Sequence, residues 1–176
     1  ASSLGNGGTY ENPMPGLEYW DKVNKAGNFV PVIAKPGTIA SGETPIAIMW
    51  DYLALADRDS MNGNPEIGVV IPKTGVVAGV YIQAISAYAP HPNAAKLWME
   101  YLYSDEGQLT WLKGYCHPIR YNDLSQKNAI PADLAAKLPS ADLYAKAIFP
   151  SLDQQAAAKQ VIVDNWDKVV NVNVQK

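Results

Sequence analysis

EIGVVIPKTGVVAGVYIQAISAYAPHPNAAKLWMEYLYSDEGQLTWLKGYCHPIR, Glu66 to Arg120, is the stretch whose reading decides the fold. It has three parts. Ile67 to Ala89 is β-branched and punctuated by glycine, the composition of extended chain. Pro92 and Asn93 then open a helix, and Ala94, Leu97, Trp98, Tyr101 and Leu102 recur at helical spacing through Tyr103. Ser104-Asp105-Glu106 supplies a cap and first-turn acids for a second helix. Leu109 and Leu112 carry its inner face, Gly114 ends it, and the chain leaves extended through His117-Pro118-Ile119-Arg120.

Upstream, Ala1 to Leu4 reads as the last turn of a helix running into Gly5. That pattern raises the expectation that the chain is one part of a longer protein. Leu17 to Ala26 is predicted helical, with Leu17, Trp20 and Val23 on one face and Gly27 closing it. Phe29 to Ile33 is predicted extended, and Gly37 to Glu43 a short helical turn. Pro45 to Trp50 and Ile67 to Ile71 are apolar runs of strand length, expected as buried strands. Asp51 is placed to cap a helix over Tyr52 to Arg58. Downstream, Asp133 to Lys137 and Ala141 to Ile148 are short helical pieces. Ser151 opens a long helix through Asn171, with Ala158, Val161, Ile162, Trp166, Val169 and Val170 on its buried side. Strands alternating with helices predict an α/β fold.

Composition narrows the function. The 176 residues suffice for an ordinary domain with its own core. No apolar run approaches the ~20 residues of a membrane span. A net charge of −3 gives no clustered basic face for nucleic acid. A single cysteine excludes an internal disulfide, and no signal-peptide pattern occurs.

Two constellations are candidates for ligand contact. Trp50-Asp51-Tyr52 follows an expected buried strand, and in open α/β sheets ligands bind beyond the carboxyl ends of strands. An aromatic face beside a carboxylate suits a polar or cationic ligand through cation–π attraction and a charge-assisted hydrogen bond. A core tryptophan beside a capping aspartate is the competing reading. Tyr81 and Gln83 alternate with Ile82, so a strand would turn both to one side, near Gly75 and Gly79. An exposed strand face is the competing reading there. Cys116 and His117 are sequence neighbours, which a strand would point to opposite faces, a poor nucleophile–base pair. His91 has no ligand spacing to them, and Gly5-Asn6-Gly7-Gly8 lacks the lysine of a phosphate-binding loop. No catalysis, cofactor or metal is expected.

APHPNAAKLWMEYLYSDEGQ, Ala89 to Gln108, resembles a segment of bacterial ABC-transporter solute-binding proteins. There the general form is Ala-x-x-Pro-Asn, a helix with Ala-Ala-x-x-Phe, then Ser-Pro-Glu-Gly-Gln; Trp98 stands for the Phe and Asp105 for the Pro. SGETPIAIMWDYL, Ser41 to Leu53, is similar to the strand leading into the family's cleft, and GYCHPIRYNDL, Gly114 to Leu124, to the return crossing. The nearest subgroup is the type II proteins for polyamines, iron, thiamine and phosphonates. In polyamine-like members an acid stands where Gln83 does, and iron-binding members carry paired tyrosines near the position of Tyr52.

The resemblance implies an α/β, periplasmic-binding-protein-like (type II) lobe. It places residues 1–79 in the second lobe, 80–119 in a hinge-crossing strand and first-lobe helices, and 120–176 back in the second lobe. Most of the N-terminal lobe is then expected elsewhere. The implied function is non-enzymatic binding of a small polar or cationic solute between two lobes, at Trp50, Asp51, Tyr52, Tyr81 and Gln83. The implied partners are the solute, a membrane ABC permease and either the missing lobe or a second copy of the chain, with no nucleic acid. The implied location is the periplasm, or a lipid-anchored extracellular position. A different reading makes the chain an assembly module that dimerises through the exposed helix Asn93 to Tyr103.

Overall fold

The computed structural model describes residues 1–175. Its elements are helices: α1 Ser2–Gly5, α2 Met14–Lys25, α3 Pro36–Ala40, α4 Asp51–Ser60, α5 Pro92–Tyr103, α6 Asp105–Lys113, α7 Tyr121–Gln126, α8 Ala132–Ala135, α9 Ala141–Tyr144 and α10 Leu152–Val169. They fall into two compact units. One holds residues 1–47, 70–79 and 140–176; the other holds 48–69 and 80–139.

The expected α/β lobe is not what the chain forms. Among the described residues there is no sheet, only two isolated parallel bridges, Val32 with Gln175 and Val77 with Ile148. The runs expected as buried strands lie extended and open: Ile46 is 89% exposed, and Ile48 and Val70 are also exposed. The physical reason is where backbone hydrogen bonds close. A helix pairs each N–H with a carbonyl four residues back, within its own segment. A strand needs a second strand alongside, and no two of these runs lie side by side for more than one bridged pair. The helices therefore follow the local pattern, and the strands do not appear.

In the first unit, α2 packs against α1 and α10. Gly16 allows the first of these contacts: a Cβ there would sit 2.8 Å from the Ser3 backbone nitrogen. Gly27, at φ 73°, closes α2 as expected, with the Asn28 N–H donating to the Val23 carbonyl at 3.0 Å. Leu17 and Val170 are buried, and Trp20, Phe29 and Trp166 form a run of ring contacts at 5.2 and 6.5 Å. Ser151 caps α10 in a capping box with Gln154. Ile162 is exposed rather than buried.

In the second unit the core is Leu55, Leu112, Tyr115, Leu124 and Leu134. The joint between α5 and α6 is built from the SDEGQ stretch. Ser104 Oγ donates to the Tyr101 carbonyl at 2.6 Å and accepts from the Gly107 N–H at 3.1 Å. A Cβ on Gly107 would stand 2.1 Å from the Tyr101 carbonyl oxygen, so glycine permits the close approach. Buried Gln108 donates to the Leu102 carbonyl at 2.7 Å and accepts from the Arg120 N–H at 3.1 Å. Arg120 in turn pairs with Asp105 at 2.6 Å and with Asp123.

A polar clamp holds the far end of α4. The Tyr115 hydroxyl donates to the Asp59 carboxylate, Arg58 Nε pairs with it at 2.8 Å, and Lys137 Nζ lies 3.4 Å away. Tyr115 adopts φ 63°, in the left-handed region. These partners, the Tyr115 hydroxyl first and then Arg58, hold the Asp59 carboxyl down at about 2, below its ordinary 3.8. A depressed carboxyl stabilises the fold fully above its unfolded pKa and loses that contribution as pH falls through its folded one. Melting temperature is therefore expected to fall between about pH 4 and pH 2, and Asp59→Asn should flatten that acid limb while lowering the neutral-pH melting temperature. Identical pH profiles for the two proteins in a thermal melt would show that the clamp contributes nothing.

Candidate functional site

The N-terminal end of α4 gathers polar and aromatic side chains around a carboxylate. Trp50 is the N-cap residue, with extended backbone (φ −65°, ψ 142°), and Asp51 is the first helical residue. The expectation had Asp51 as the cap; the helix begins one residue earlier, and no side chain caps it. A carboxylate in the first turn still opposes the positive end of the helix dipole. Trp50 is 49% exposed, so its indole is partly open to solvent.

Tyr81 reaches this end of the helix from the extended segment after Gly79. Its hydroxyl lies 3.2 Å from that of Tyr52. That bond, followed by desolvation and nearby groups including Asp51, raises the Tyr52 pKa above its ordinary 10.0. Either hydroxyl of the pair can be the donor, so the contact can turn a donor or an acceptor outward.

The loop after α6 brings a contribution the sequence reading set aside. Burial and then the Asp51 charge push the Cys116 thiol up from its ordinary value. Burial lowers His117, with Asp51 opposing the shift. The His117 ring lies 4.2 Å, centroid to centroid, from that of Tyr121 at the start of α7. Cys116 is thus a protonated thiol, the opposite of an activated nucleophile. His117 is neutral at physiological pH and presents a ring beside a carboxylate. No spacing signal joins these residues to Asp51; the Tyr115–Asp59 contact brings their loop against α4.

Trp50, Asp51, Tyr52 and Tyr81 therefore come to one region of this unit. Gln83 has different neighbours. It lines an open groove of about 440 Å³ with Ile82, Ile85, Trp98, Met99 and Leu102, against α5. Because the segment is not held in a ladder, adjacent Ile82 and Gln83 both face this groove. Among the described residues no group of three His, Cys, Asp or Glu side chains is arranged to hold a metal. No described helix is long and apolar enough to cross a membrane.

An aromatic pair of hydroxyls, a carboxylate and a flanking indole offer a small polar molecule hydrogen bonds, a charge and an aromatic face. The family described as bacterial extracellular solute-binding protein matches residues 14–139, a span that includes all five of the residues above. The chain belongs to that family. Its role is, in general terms, extracellular solute binding, and such families are in general not enzymatic. No curated protein matches the chain.

Proposed function

We propose that this chain is the solute-binding component of an ABC importer, working in the periplasm or anchored outside the cell, and that it takes a small polar or cationic solute. The observation that carries the reading is the Tyr52–Tyr81 hydroxyl pair beside Asp51 and the exposed Trp50. Of the ligand classes in the subgroup it resembles, an anion such as a phosphonate is the poorest match. Asp51 contributes negative charge here, and Arg58, the one basic residue of α4, is engaged with Asp59. A cation gains instead from a carboxylate, from phenol oxygens that accept hydrogen bonds and from an indole face. Trp50, Asp51, Tyr52 and Tyr81 are the proposed contacts, with Gln83 reached only by a ligand that extends along the α5 groove. The membrane partner of this reading is an ABC permease.

A thermal-shift screen of small amines, amino acids, sugars and phosphonates tests the class. Cationic and neutral polar solutes are expected to raise the melting temperature; stabilisation by phosphonates alone would overturn the reading. Trp50→Ala is expected to weaken the best cationic solute by about 0.5–2 kcal/mol, the range for a cation over a partly exposed ring. Calorimetry on the folded variant checks it, and an unchanged affinity removes Trp50 from the site.

A further inference from the structure

The end of α6 places a tyrosine where glycine usually stands. The Tyr115 N–H donates to the Leu112 carbonyl at 2.9 Å and the Cys116 N–H to the Trp111 carbonyl at 3.2 Å. These are the paired bonds of a Schellman turn, which needs one left-handed residue, most often glycine. Gly114 stands one residue too early, at φ −87°, and Tyr115 takes the left-handed place at φ 63°. A bulky residue persists in that region only where its surroundings hold it there. The Tyr115 ring is buried, and its hydroxyl donates to the Asp59 carboxylate. Asp59 is itself gripped by Arg58 Nε at 2.8 Å and Lys137 Nζ at 3.4 Å, and Arg58 Nη2 donates to the Lys137 carbonyl at 3.4 Å. The turn alone asks for glycine. What tyrosine adds is a packed ring and a latch to α4.

We propose that Tyr115 is a positioning residue of the solute site, its hydroxyl bond to Asp59 setting where Cys116 and His117 stand against the head of α4. From a pinned Tyr115 the chain has little freedom: His117 lies within about 7 Å of it, Cα to Cα, even at full extension. On its other side the His117 ring is held by Tyr121 of α7, at 4.2 Å between centroids. Between these two anchors Cys116 and His117 come under the charge of Asp51, and Cys116 also acts on Tyr52. The loop thus meets Asp51 and Tyr52 on α4 and Tyr121 on α7. What the loop borders is taken from the solute reading; how it is held is not, so the two can fail separately.

Tyr115→Phe keeps the ring and removes the hydroxyl. Two titrations read the loop without any ligand: the His117 imidazole by NMR, with His91, the other histidine, as internal reference, and the Cys116 thiol by its alkylation rate against pH. Burial displaces the two groups in opposite directions, so release of the loop should move His117 up and Cys116 down, each toward its ordinary value. Lower stability by itself, in a variant that stays folded, moves neither. Asp59→Ala breaks the same bond from the α4 side and should give the same two shifts, which keeps the test decisive if the Tyr115 variant does not fold. Affinity for the small amine that most raises the melting temperature in the solute screen should fall by about ten-fold in Tyr115→Phe, the lower end of the loss when a residue that orients a metal ligand is removed. Unmoved titrations in the folded variants overturn the proposal. Shifted titrations with unchanged amine affinity also overturn it, since the loop would then be held without serving the site. Shifted titrations in a protein that no solute stabilises would uphold the latch as the anchor of the loop and sink the solute reading.

Discussion

Leu112→Ala is expected to lower the stability of the chain by about 2–5 kcal/mol, the cost of removing a buried leucine and leaving a cavity behind it. Leu112 has no solvent-exposed surface. It lies near the end of α6, in a core that the second unit draws from four helices and from Tyr115. The residues just after it in sequence connect this core to the candidate site. Tyr115 ties the following loop to Asp59 on α4, and that loop carries Cys116 and His117 to Asp51. Collapse around a shortened side chain should therefore disturb the site as well as the core. A useful contrast is Leu97→Ala on α5, where the side chain is already exposed and the expected change is within about 0.5 kcal/mol. Urea denaturation of both variants separates them. A loss below about 1 kcal/mol for Leu112→Ala would mean that α6 is not anchored where the fold places it.

The difference between those two leucines was only half legible in the sequence. Leu97 and Leu112 both sit on helices, and both belong to apolar stripes. The spacing identifies the helix and the stripe, since those depend on contacts within a few residues. It does not reveal which stripe finds a partner. The extended runs at Pro45 to Trp50 and Ile67 to Ile71 show the same limit more sharply. Their β-branched, apolar character marks strands, but a ladder is a property of two segments, and among the described residues neither run forms a bridge with another.

The site divides in a similar way. Trp50-Asp51-Tyr52 is legible as a contiguous motif, because adjacency in sequence ensures adjacency in space. Tyr81 is singled out by its alternation with Ile82 and Gln83, which does not show its hydroxyl contact with Tyr52. His117 is legible in the sequence only against Cys116 and His91, and its relation to Asp51 depends on a tertiary contact made elsewhere, by Tyr115. In SDEGQ, Ser104 was read as a cap and is one. Gln108 and Gly107 carry roles that only the packed joint defines: a buried amide linking α5 to the Arg120 backbone, and a close approach that no side chain would permit.

Asp51→Asn carries the second large expected effect. The substitution keeps the shape of the side chain and removes its charge. A hydrogen bond to a charged group contributes about 1.5–3 kcal/mol net, roughly twice a neutral one. Loss of the charge, and with it both the ion-pair attraction and the charge assistance to that bond, should weaken affinity for a cationic solute by about 10- to 100-fold at 1.4 kcal/mol per decade. Loss of the first-turn charge should cost α4 about 0.3–1 kcal/mol, too little to unfold it. The same change removes a nearby negative charge that raises Cys116, so thiol reactivity with pH reports on the site without any ligand: its titration should move down in the variant. Isothermal titration calorimetry of wild type and Asp51→Asn with the most stabilising cationic solute from the thermal-shift screen is the most direct test of solute binding at the head of α4. The expected result is saturable binding by the wild type and a loss of about 10- to 100-fold in the variant. Equal affinity in the two proteins, with α4 intact by circular dichroism, would contradict it.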